Sequence, residues 1–315
     1  MKRYPLKLEG IRKDAIWGGN SLIRNWGVPH TGATLAELWT LSVRPDATCR
    51  VLNGEAAGLP LDAYLSAIGE PASDFPLLVK LIDAGANLSV QVHPNDEDAA
   101  KVGETNGKTE MWYVLEAEEG AKLYLGTKPG VTREEFLSAM DRGAELEELL
   151  EPVAVRPGDL CWIPAGTVHA IGAGLLVAEV QQNSDVTYRL YDYGRLGQDG
   201  KPRPLHKEQA AKVLRLTTAE EREVTRLTRQ TETDPRVTPL VACEYFFASL
   251  LRVVDEYVLT MPEDSFLSLL CVEGAGEISC DGETYPVTKG DSYFLPVGCE
   301  ECVLTGNCSI LVSGV

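Results

Sequence analysis

Two stretches of the chain repeat the same pattern of turn residues 132 positions apart. The segments "PGDLCWIPAGTVHAI" (157–171) and "KGDSYFLPVGCEECV" (289–303) both place Gly-Asp ahead of Pro-x-Gly at the same spacing. Gly-Asp makes a tight turn into a strand, and Pro-x-Gly ends that strand before the next one begins. Further upstream, "EEGAKLYL" and "VEGAGEIS" match at an offset of 154, so the first copy carries about 22 additional residues, which a helical insert at 127–150 would supply. The sequence therefore predicts two β units built on one template.

Short runs rich in Val, Ile, Tyr and Trp, punctuated by Gly and Pro, predict strands along much of the chain. Examples are "EMWYVLEA" (110–117), "AKLYLG" (121–126), "DLCWIP" (159–164) and "LLVAEVQQ" (175–182). Helical spacing occurs at 60–69, at 132–150 with Thr132 as the N-cap, and at 206–216. We therefore predict a mainly β protein, a sandwich or barrel in architecture, with a few inserted helices.

The length of 315 residues is enough for two domains. The polar segment 218–239 has the composition of a connection between domains, although its first half could form an exposed helix. We place the boundary there, with one domain at 1–225 and a second at 226–315.

The composition of the chain indicates which partners it can bind and in which compartment of the cell we expect it. The formal net charge of −18 argues against nucleic acid, because phosphate backbones are bound by an excess of basic surface. No apolar run is long enough for a membrane span, and residues 1–19 lack the apolar segment of a signal peptide, so we expect a cytoplasmic protein. Its eight cysteines should then be reduced. Cys299 and Cys302 have C-x-x-C spacing, but one pair without a second pair or a histidine is too weak to predict zinc.

Two of the four histidines occur where a metal ligand would be expected. Gln91 and His93 in "LSVQVHPND" are two apart on a predicted strand and so point to one face, and Glu110 begins another strand. His169 occupies a repeat position where the second copy has Glu301, so the fold does not require a histidine there. Each residue alone would be an ordinary strand residue, whereas together they suit a divalent metal. We interpret the other two histidines, His30 and His206, as surface residues.

The repeated motifs resemble those of the cupin, or jelly-roll, β-barrel, in which two short motifs supply metal ligands from neighbouring strands. The resemblance implies two such barrels, the second degenerate because it lacks the histidine. A more specific resemblance rests on five motifs in order: "WGG" (17–19), "LSVQVHPND" (88–96), "GKTEMWYVL" (107–115), "IPAGTVHAIG" (163–172) and "NSDVTYRLYDYGR" (183–195). Together they resemble type I mannose-6-phosphate isomerases, especially the short bacterial form, over roughly the first 215 residues.

The resemblance implies an enzyme that interconverts D-mannose 6-phosphate and D-fructose 6-phosphate with one bound zinc ion per chain, other divalent ions being possible. It places the metal ligands at Gln91, His93, Glu110 and His169, an active-site arginine at Arg189 and a proton-transfer acid at Glu179. Lys108, Ser89 and Lys80 are plausible substrate contacts. A sugar phosphate is the implied partner, and the oligomeric state stays open.

Two other functions fit the metal set. Two histidines and a glutamate also suit a metal cupin oxygenase, and a non-catalytic sugar-binding cupin would keep the same residues for structure. The motif "NSDVTYRLYDYGR", together with Gln91, favours the isomerase, since an oxygenase has no evident need for either. The proton carrier is also open, because Glu179 or a hydroxide on the metal would serve.

Overall fold

The structure is a computed structural model, and it describes residues 1–70, 72–197, 199–216 and 234–315. Most of the predicted connection at 218–239, and with it the boundary between 225 and 226, lies outside the described residues. The division into two domains at that point therefore stays a prediction.

The described residues confirm a mainly β chain with a few helices. The strands are β1 (Leu6–Glu9), β2 (Ile11–Lys13), β3 (Glu37–Leu41), β4 (Val43–Arg44), β5 (Ala47–Thr48), β6 (Arg50–Val51), β7 (Leu77–Ala84), β8 (Val90–Val92), β9 (Glu110–Ala117), β10 (Lys122–Thr127), β11 (Leu150–Ala154), β12 (Leu160–Ile163), β13 (His169–Ile171), β14 (Leu175–Gln182), β15 (Tyr188–Tyr191), β16 (Val237–Ala242), β17 (Phe247–Leu259), β18 (Leu267–Cys280), β19 (Glu283–Thr288), β20 (Ser292–Leu295) and β21 (Cys302–Gly314). The helices are α1 (Ser21–Arg24), α2 (Leu61–Ala67), α3 (Asp96–Ala100), α4 (Arg133–Ala139), α5 (Ala144–Glu148) and α6 (Lys207–Val213), with short 3-10 turns at Gly54–Ala56 and Ala72–Asp74.

The strands form three large sheets and one small one among the described residues. A six-stranded sheet has the order β12-β9-β14-β7-β3-β2, and a five-stranded sheet has the order β11-β10-β13-β8-β15. An eight-stranded sheet has the order β16-β17-β21-β18-β20-β1-β6, with β19 paired to β18, and β4 pairs with β5 alone.

The six-stranded sheet is the middle layer of the molecule. Every residue of its strands β7 and β14 is buried, which explains why "LLVAEVQQ" reads as a continuous run without alternation. One face packs on the five-stranded sheet through a core that includes Ile82, Val114 and Leu123. The other face packs on the eight-stranded sheet through a second core that includes Val79 and Phe294.

The helical insert predicted at 127–150 covers the outer face of the five-stranded sheet. It forms α4, with Met140 as its C-cap, and α5, with Gly143 as its N-cap at a positive φ of 62°. Thr132 caps α4 as predicted, because its hydroxyl accepts a hydrogen bond from the Glu135 amide at 3.1 Å. Phe136 and Leu146 pack with residues of β8 and β13, so the insert fixes these strands from behind.

The sequence repeat corresponds to a repeated turn. Gly158 and Gly290 have φ of 89° and 92°. The following aspartates accept equivalent backbone hydrogen bonds, Asp159 from Arg156 at 3.0 Å and Asp291 from Thr288 at 2.9 Å. Because both turns lead into a four-residue strand, β12 and β20, the local chemistry that the repeat predicts is confirmed.

The N-terminal strand β1 does not join the six-stranded sheet that contains the next strands, β2 and β3. Residues of β1 pair with β20 on one side, Leu6 opposite Phe294, and with β6 on the other. The start of the chain therefore completes the eight-stranded sheet made mainly from its end. Within the described ranges, no helix has the length and apolar character that crossing a bilayer requires.

Candidate metal centre and substrate cavity

The five-stranded sheet presents a row of three predicted site residues. His169 on β13 is directly opposite Gln91 on β8, and Gln91 is directly opposite Arg189 on β15. Residues opposite each other in an antiparallel pair project from the same face of the sheet. The register thus directs these three side chains together, although they are far apart in the sequence.

The six-stranded sheet presents a second row. Lys80 on β7 is opposite Glu179 on β14, which is opposite Trp112 on β9. Glu110 is two residues before Trp112 on the same strand and shares its face. Both rows face the space between the two sheets, and the site is built there.

His93, Glu110 and His169 meet in a buried cluster. One ligand atom from each lies within 4.8 Å of the others, and all three residues are buried. Glu110 Oε2 is 3.6 Å from His93 Nε2, and Glu110 Oε1 is 3.4 Å from His169 Nε2. Atoms that bind one tetrahedral divalent metal at roughly 2.0–2.2 Å are about 3.4 Å from one another, so these separations suit a shared metal.

Backbone carbonyls orient both imidazoles. His93 Nδ1 donates to the Val186 carbonyl at 2.7 Å, and His169 Nδ1 donates to the Thr167 carbonyl at 2.9 Å. Since a carbonyl only accepts, the proton of each neutral ring belongs on Nδ1, and each Nε2 carries the lone pair that a metal would take. In this structure Lys108 Nζ faces His93 Nε2 at 3.1 Å, and Gln91 Nε2 faces His169 Nε2 at 3.3 Å.

Burial and Lys108 keep the two histidines neutral. They lower the pKa of His169 to about 3 and hold the pKa of His93 well below its usual range. Burial and the charge of Glu179 raise the pKa of Glu110 to about 7, against the opposing effect of Lys108. Neutral imidazoles are the form that binds a metal.

Among the described residues, Lys108 is the cation that compensates the buried carboxylate of Glu110. Lys108 Nζ lies 2.5 Å from Oε2, yet among the described residues neither Glu110 oxygen accepts a hydrogen bond of good geometry. Buried carboxylate oxygens without donors are costly unless a cation compensates them. The donor set of two nitrogens and a carboxylate therefore fits a divalent metal.

Gln91 lies at the edge of this cluster. Its Nε2 is 3.3 Å from His169 Nε2, and its Oε1 is 3.4 Å from the Ser89 hydroxyl. The structure therefore brings Gln91 beside the three ligands, with its amide nitrogen facing His169.

Glu179 is held between two lysines and an indole. Its Oε1 is 3.3 Å from Lys80 Nζ and 4.0 Å from Lys108 Nζ, and its Oε2 accepts from Trp112 Nε1 at 2.9 Å. Burial favours the neutral acid, but Lys108, Lys80 and the Trp112 hydrogen bond outweigh it and lower the pKa of Glu179 to about 2. Glu179 is therefore a carboxylate at neutral pH.

A cavity of about 300 Å³ opens onto this cluster and collects the predicted catalytic and substrate residues. Lys80, Ser89, Lys108, Glu179 and Arg189 all line it, together with Gln91. Its volume suits a small polar ligand.

The cavity wall also contains residues that the sequence did not single out: Trp17, Glu37, Trp112, Asp185, Thr187 and Arg203. Trp112 was accessible to sequence reasoning, because it is two positions after Glu110 on a predicted strand. Asp185 and Thr187 lie inside the motif "NSDVTYRLYDYGR". Arg203 carried no signal, since it reaches the cavity from a loop in which Asp192 holds its guanidinium at 2.7 Å and 2.5 Å.

Arg189 reaches the cavity with a donor to spare. Its Nη1 donates to the Pro204 carbonyl at 3.0 Å, while its buried Nε has no hydrogen-bond partner among the described residues. The guanidinium is therefore held through Nη1, while its enclosed Nε–H has no acceptor among the described residues.

His30 and His206, which the sequence led us to interpret as surface residues, lie only partly at the surface. Each has a partner. His30 Nε2 lies 3.0 Å from Asp14, and His206 Nδ1 accepts from the Arg189 amide at 3.1 Å. The sequence could not reveal these contacts, because they come from segments that turn back onto one another.

Comparison with known proteins accounts for this arrangement. The chain is 37% identical over 320 residues to mannose-6-phosphate isomerase ManA of Bacillus subtilis (strain 168), covering 99% of each protein. The chain belongs to the type I mannose-6-phosphate isomerase family. A model of the phosphomannose isomerase type I catalytic domain matches residues 6–123, and a model of the mannose-6-phosphate isomerase cupin domain matches residues 236–315.

Other relatives agree with the family assignment. Mannose-6-phosphate isomerase of Streptococcus mutans is 35% identical over 314 residues, covering 98% of each chain. The crystal structure of the B. subtilis mannose 6-phosphate isomerase superposes with a TM-score of 0.89 at 32% identity, covering 99% of both chains. A putative mannosephosphate isomerase of Archaeoglobus fulgidus, at 22% identity and a TM-score of 0.77, shares the fold.

Proposed function

We propose that this chain is a metal-dependent aldose-ketose isomerase that interconverts D-mannose 6-phosphate and D-fructose 6-phosphate. The observation that supports it most is the buried cluster of His93, Glu110 and His169, whose neighbours Gln91 and Lys108 line a cavity together with Glu179 and Arg189. The names of the relatives supply the substrate.

His93 and His169 would hold the metal through Nε2 and Glu110 through its carboxylate, with Gln91 as the fourth ligand. Zinc suits these donors and is the proposed resident ion, one per chain at this site. Manganese, cobalt and iron bind similar donor sets and are the other candidate ions. When bound, a divalent metal supplies a Lewis acid that stabilises negative charge developing on the sugar oxygens.

The reaction moves one proton from C2 to C1 and another from O2 to O1, through an enediolate. Glu179 is the proposed base at carbon, since it is ionised at neutral pH and faces the cavity. Its low pKa makes it a weak base, so the reaction depends on groups that stabilise the enediolate. Arg189 is such a group, because its guanidinium belongs to a residue that lines the cavity and can donate to a developing oxyanion.

The phosphate of the substrate needs cations in a protein of net charge −18. The cavity supplies Lys80, Lys108, Arg189 and Arg203. Lys80 is engaged with Glu179 and Glu37, and Lys108 with Glu110. Arg203 is engaged with Asp192 in the same way. Among the described residues Arg189 has no carboxylate partner, so it has the most available charge for phosphate, while Lys108, Lys80 and Ser89 are proposed to contact the sugar.

The test is formation of fructose 6-phosphate from mannose 6-phosphate by the purified full-length protein, before and after chelation. We expect activity to be lost with the metal and restored by zinc or another competent divalent ion. No activity with any ion would overturn the proposal.

A pair of histidine variants separates the metal site from general damage. His169→Ala removes a ligand and should abolish both metal binding at this site and activity. His30→Ala changes a histidine that pairs with Asp14 away from the cavity and should leave both intact. Equal losses in the two variants would contradict the assignment of His169.

The family assignment favours this function over the oxygenase and the non-catalytic sugar-binding protein. A cytoplasmic location stays a prediction, which cell fractionation would test.

A further inference from the structure

The C-terminal sheet contains a second cluster of metal-ligating side chains. Cys280, Cys299 and Cys302 are all buried, and their sulfur atoms lie within 4.8 Å of one another. The sequence showed only the Cys299 and Cys302 pair. Cys280 is the third member, which the fold brings from the far end of β18.

Strand register explains why the three thiols meet. Cys280, the last residue of β18, is directly opposite Cys302, the first residue of β21. Cys299, three residues before Cys302, lies in the turn at 296–299, which a hydrogen bond from its amide to the Pro296 carbonyl closes at 3.0 Å. Two strand ends and a turn therefore form a rigid frame for the sulfurs.

In the sequence repeat, the cluster lies next to the position that corresponds to the start of β13. β21 follows Pro296–Val297–Gly298 just as β13 follows Pro164–Ala165–Gly166, and β13 begins with the ligand His169. The residue that aligns with His169, Glu301, is exposed, and the buried position at the start of β21 belongs to Cys302. The second unit thus also has a metal-ligating side chain where this turn leads into the core.

We propose that Cys280, Cys299 and Cys302 form a second metal site, selective for a thiophilic ion such as Zn²⁺, that ties β18 to β21. Sulfurs sharing a tetrahedral zinc are roughly 3.8 Å apart when each Zn–S bond is near 2.3 Å. The Cys280 and Cys299 sulfurs are 3.7 Å apart. Binding replaces the thiol protons, which pass to solvent.

The surroundings supply a further ligand and compensating charge. The Glu300 carbonyl oxygen is 3.4 Å from the Cys302 sulfur and 3.6 Å from the Cys280 sulfur, so it is the candidate for the fourth position. Three thiolates exceed the charge of a divalent ion by one. Arg3 can compensate this charge, since its side chain lies beside Gly298 next to the cluster, whereas Lys2 is paired with Asp281 at 2.7 Å.

The alternative is that these are ordinary buried thiols. Cys271 illustrates that case, because it is buried in the same core, lies near the Glu273 carbonyl at 3.4 Å, and belongs to no group of three ligands among the described residues. It is the matched control for substitution.

Cobalt substitution of the full-length protein tests the proposal. Cobalt bound by thiolates gives a strong charge-transfer band in the near ultraviolet, whereas the His93 site offers only nitrogen and oxygen. We expect this band in the parent protein and in His93→Ala and Cys271→Ser, and its loss in Cys302→Ser. Persistence in His93→Ala makes the result independent of the isomerase proposal.

Absence of the band in the parent protein at saturating cobalt would overturn the proposal, and so would a non-reducing peptide map showing a Cys280–Cys299 disulfide in freshly purified protein. If Cys302→Ser does not fold, alkylation of the parent protein decides. Zinc should then protect Cys280, Cys299 and Cys302 from iodoacetamide under conditions where the apoprotein is modified, and equal labelling with and without zinc would refute the site.

Discussion

At the scale of single residues, substitutions can distinguish the proposed proton carrier, Glu179, from the neighbouring carboxylate Glu37. Glu179 and Glu37 both contact Lys80, at 3.3 Å and 3.9 Å, but only Glu179 is also bound by Trp112. Glu179→Gln removes a base without changing the shape of the site. We expect kcat to fall by roughly 10²–10⁴-fold.

Exchange of solvent deuterium into the sugar at C2 gives a direct readout of this step. Glu179→Gln should suppress exchange as strongly as turnover, whereas Glu37→Gln should retain most of both. If exchange continues at the parental rate in Glu179→Gln, another group carries the proton.

A second residue-scale prediction concerns Asp83, which accepts a hydrogen bond from the Leu22 amide at 2.8 Å and so holds the start of α1. Burial raises the pKa of Asp83 to about 6, against the effect of these backbone donors. A carboxyl whose pKa is higher in the folded state than its value of about 3.9 when unfolded makes folding less favourable as pH rises between these values.

Asp83→Asn keeps an acceptor and removes the titration. Relative to the parent, its free energy of unfolding should therefore rise by up to about 2 kcal/mol between pH 4 and pH 7. Urea unfolding at several pH values measures this, with Asp141→Asn, whose side chain is 83% exposed, as the control. A constant difference between parent and Asp83→Asn would show that Asp83 does not titrate in this range.

At the scale of elements, the helical insert should support the metal site from outside. Phe136 of α4 is fully buried in the core that contains Val90 and Val92, the neighbours of Gln91 and His93 in sequence. Phe136→Ala should cost about 3–5 kcal/mol of stability. Because β8 loses its support, zinc affinity should fall as well.

Denaturant unfolding and zinc titration check this pair of effects, with Leu137→Ala, only partly buried on the same helix, as the control. Unchanged zinc affinity in a destabilised Phe136→Ala would mean that the strands hold the ligands without the insert.

Elements also show what sequence reasoning reaches. β9 and β14 begin and end at the predicted residues, because turn chemistry and apolar runs act locally. Four metal ligands were predicted from strand position and motif, and the structure brings them together. Cys280 and Arg203 were missed, since each joins its site only through pairing or loop contacts distant in sequence. The same reason explains why β1 was not assigned to the eight-stranded sheet.

At the scale of the whole molecule, the six-stranded middle sheet packs on both the five-stranded and the eight-stranded sheet, so we expect the stability of each part to depend on the other. Without the eight-stranded sheet, the face of the six-stranded sheet that packs on it would expose Val79, Leu81 and Met111 to water. In addition, β1 at the start of the chain pairs with β20 near its end. We therefore expect one cooperative unfolding transition instead of two, although proteins of this size often unfold in steps.

Phe294→Ala tests this coupling from the C-terminal side. Phe294 is fully buried, and its ring is 5.9 Å from Phe75 and 5.2 Å from Phe266. The loss should cost about 3–5 kcal/mol. If the molecule unfolds as a unit, calorimetry should show one peak shifted to lower temperature, and release of zinc from the His93 site should shift with it. Two peaks, with zinc release unchanged, would instead mean that the five- and six-stranded sheets are stable without the eight-stranded sheet. The core between the six- and eight-stranded sheets would then not couple their unfolding.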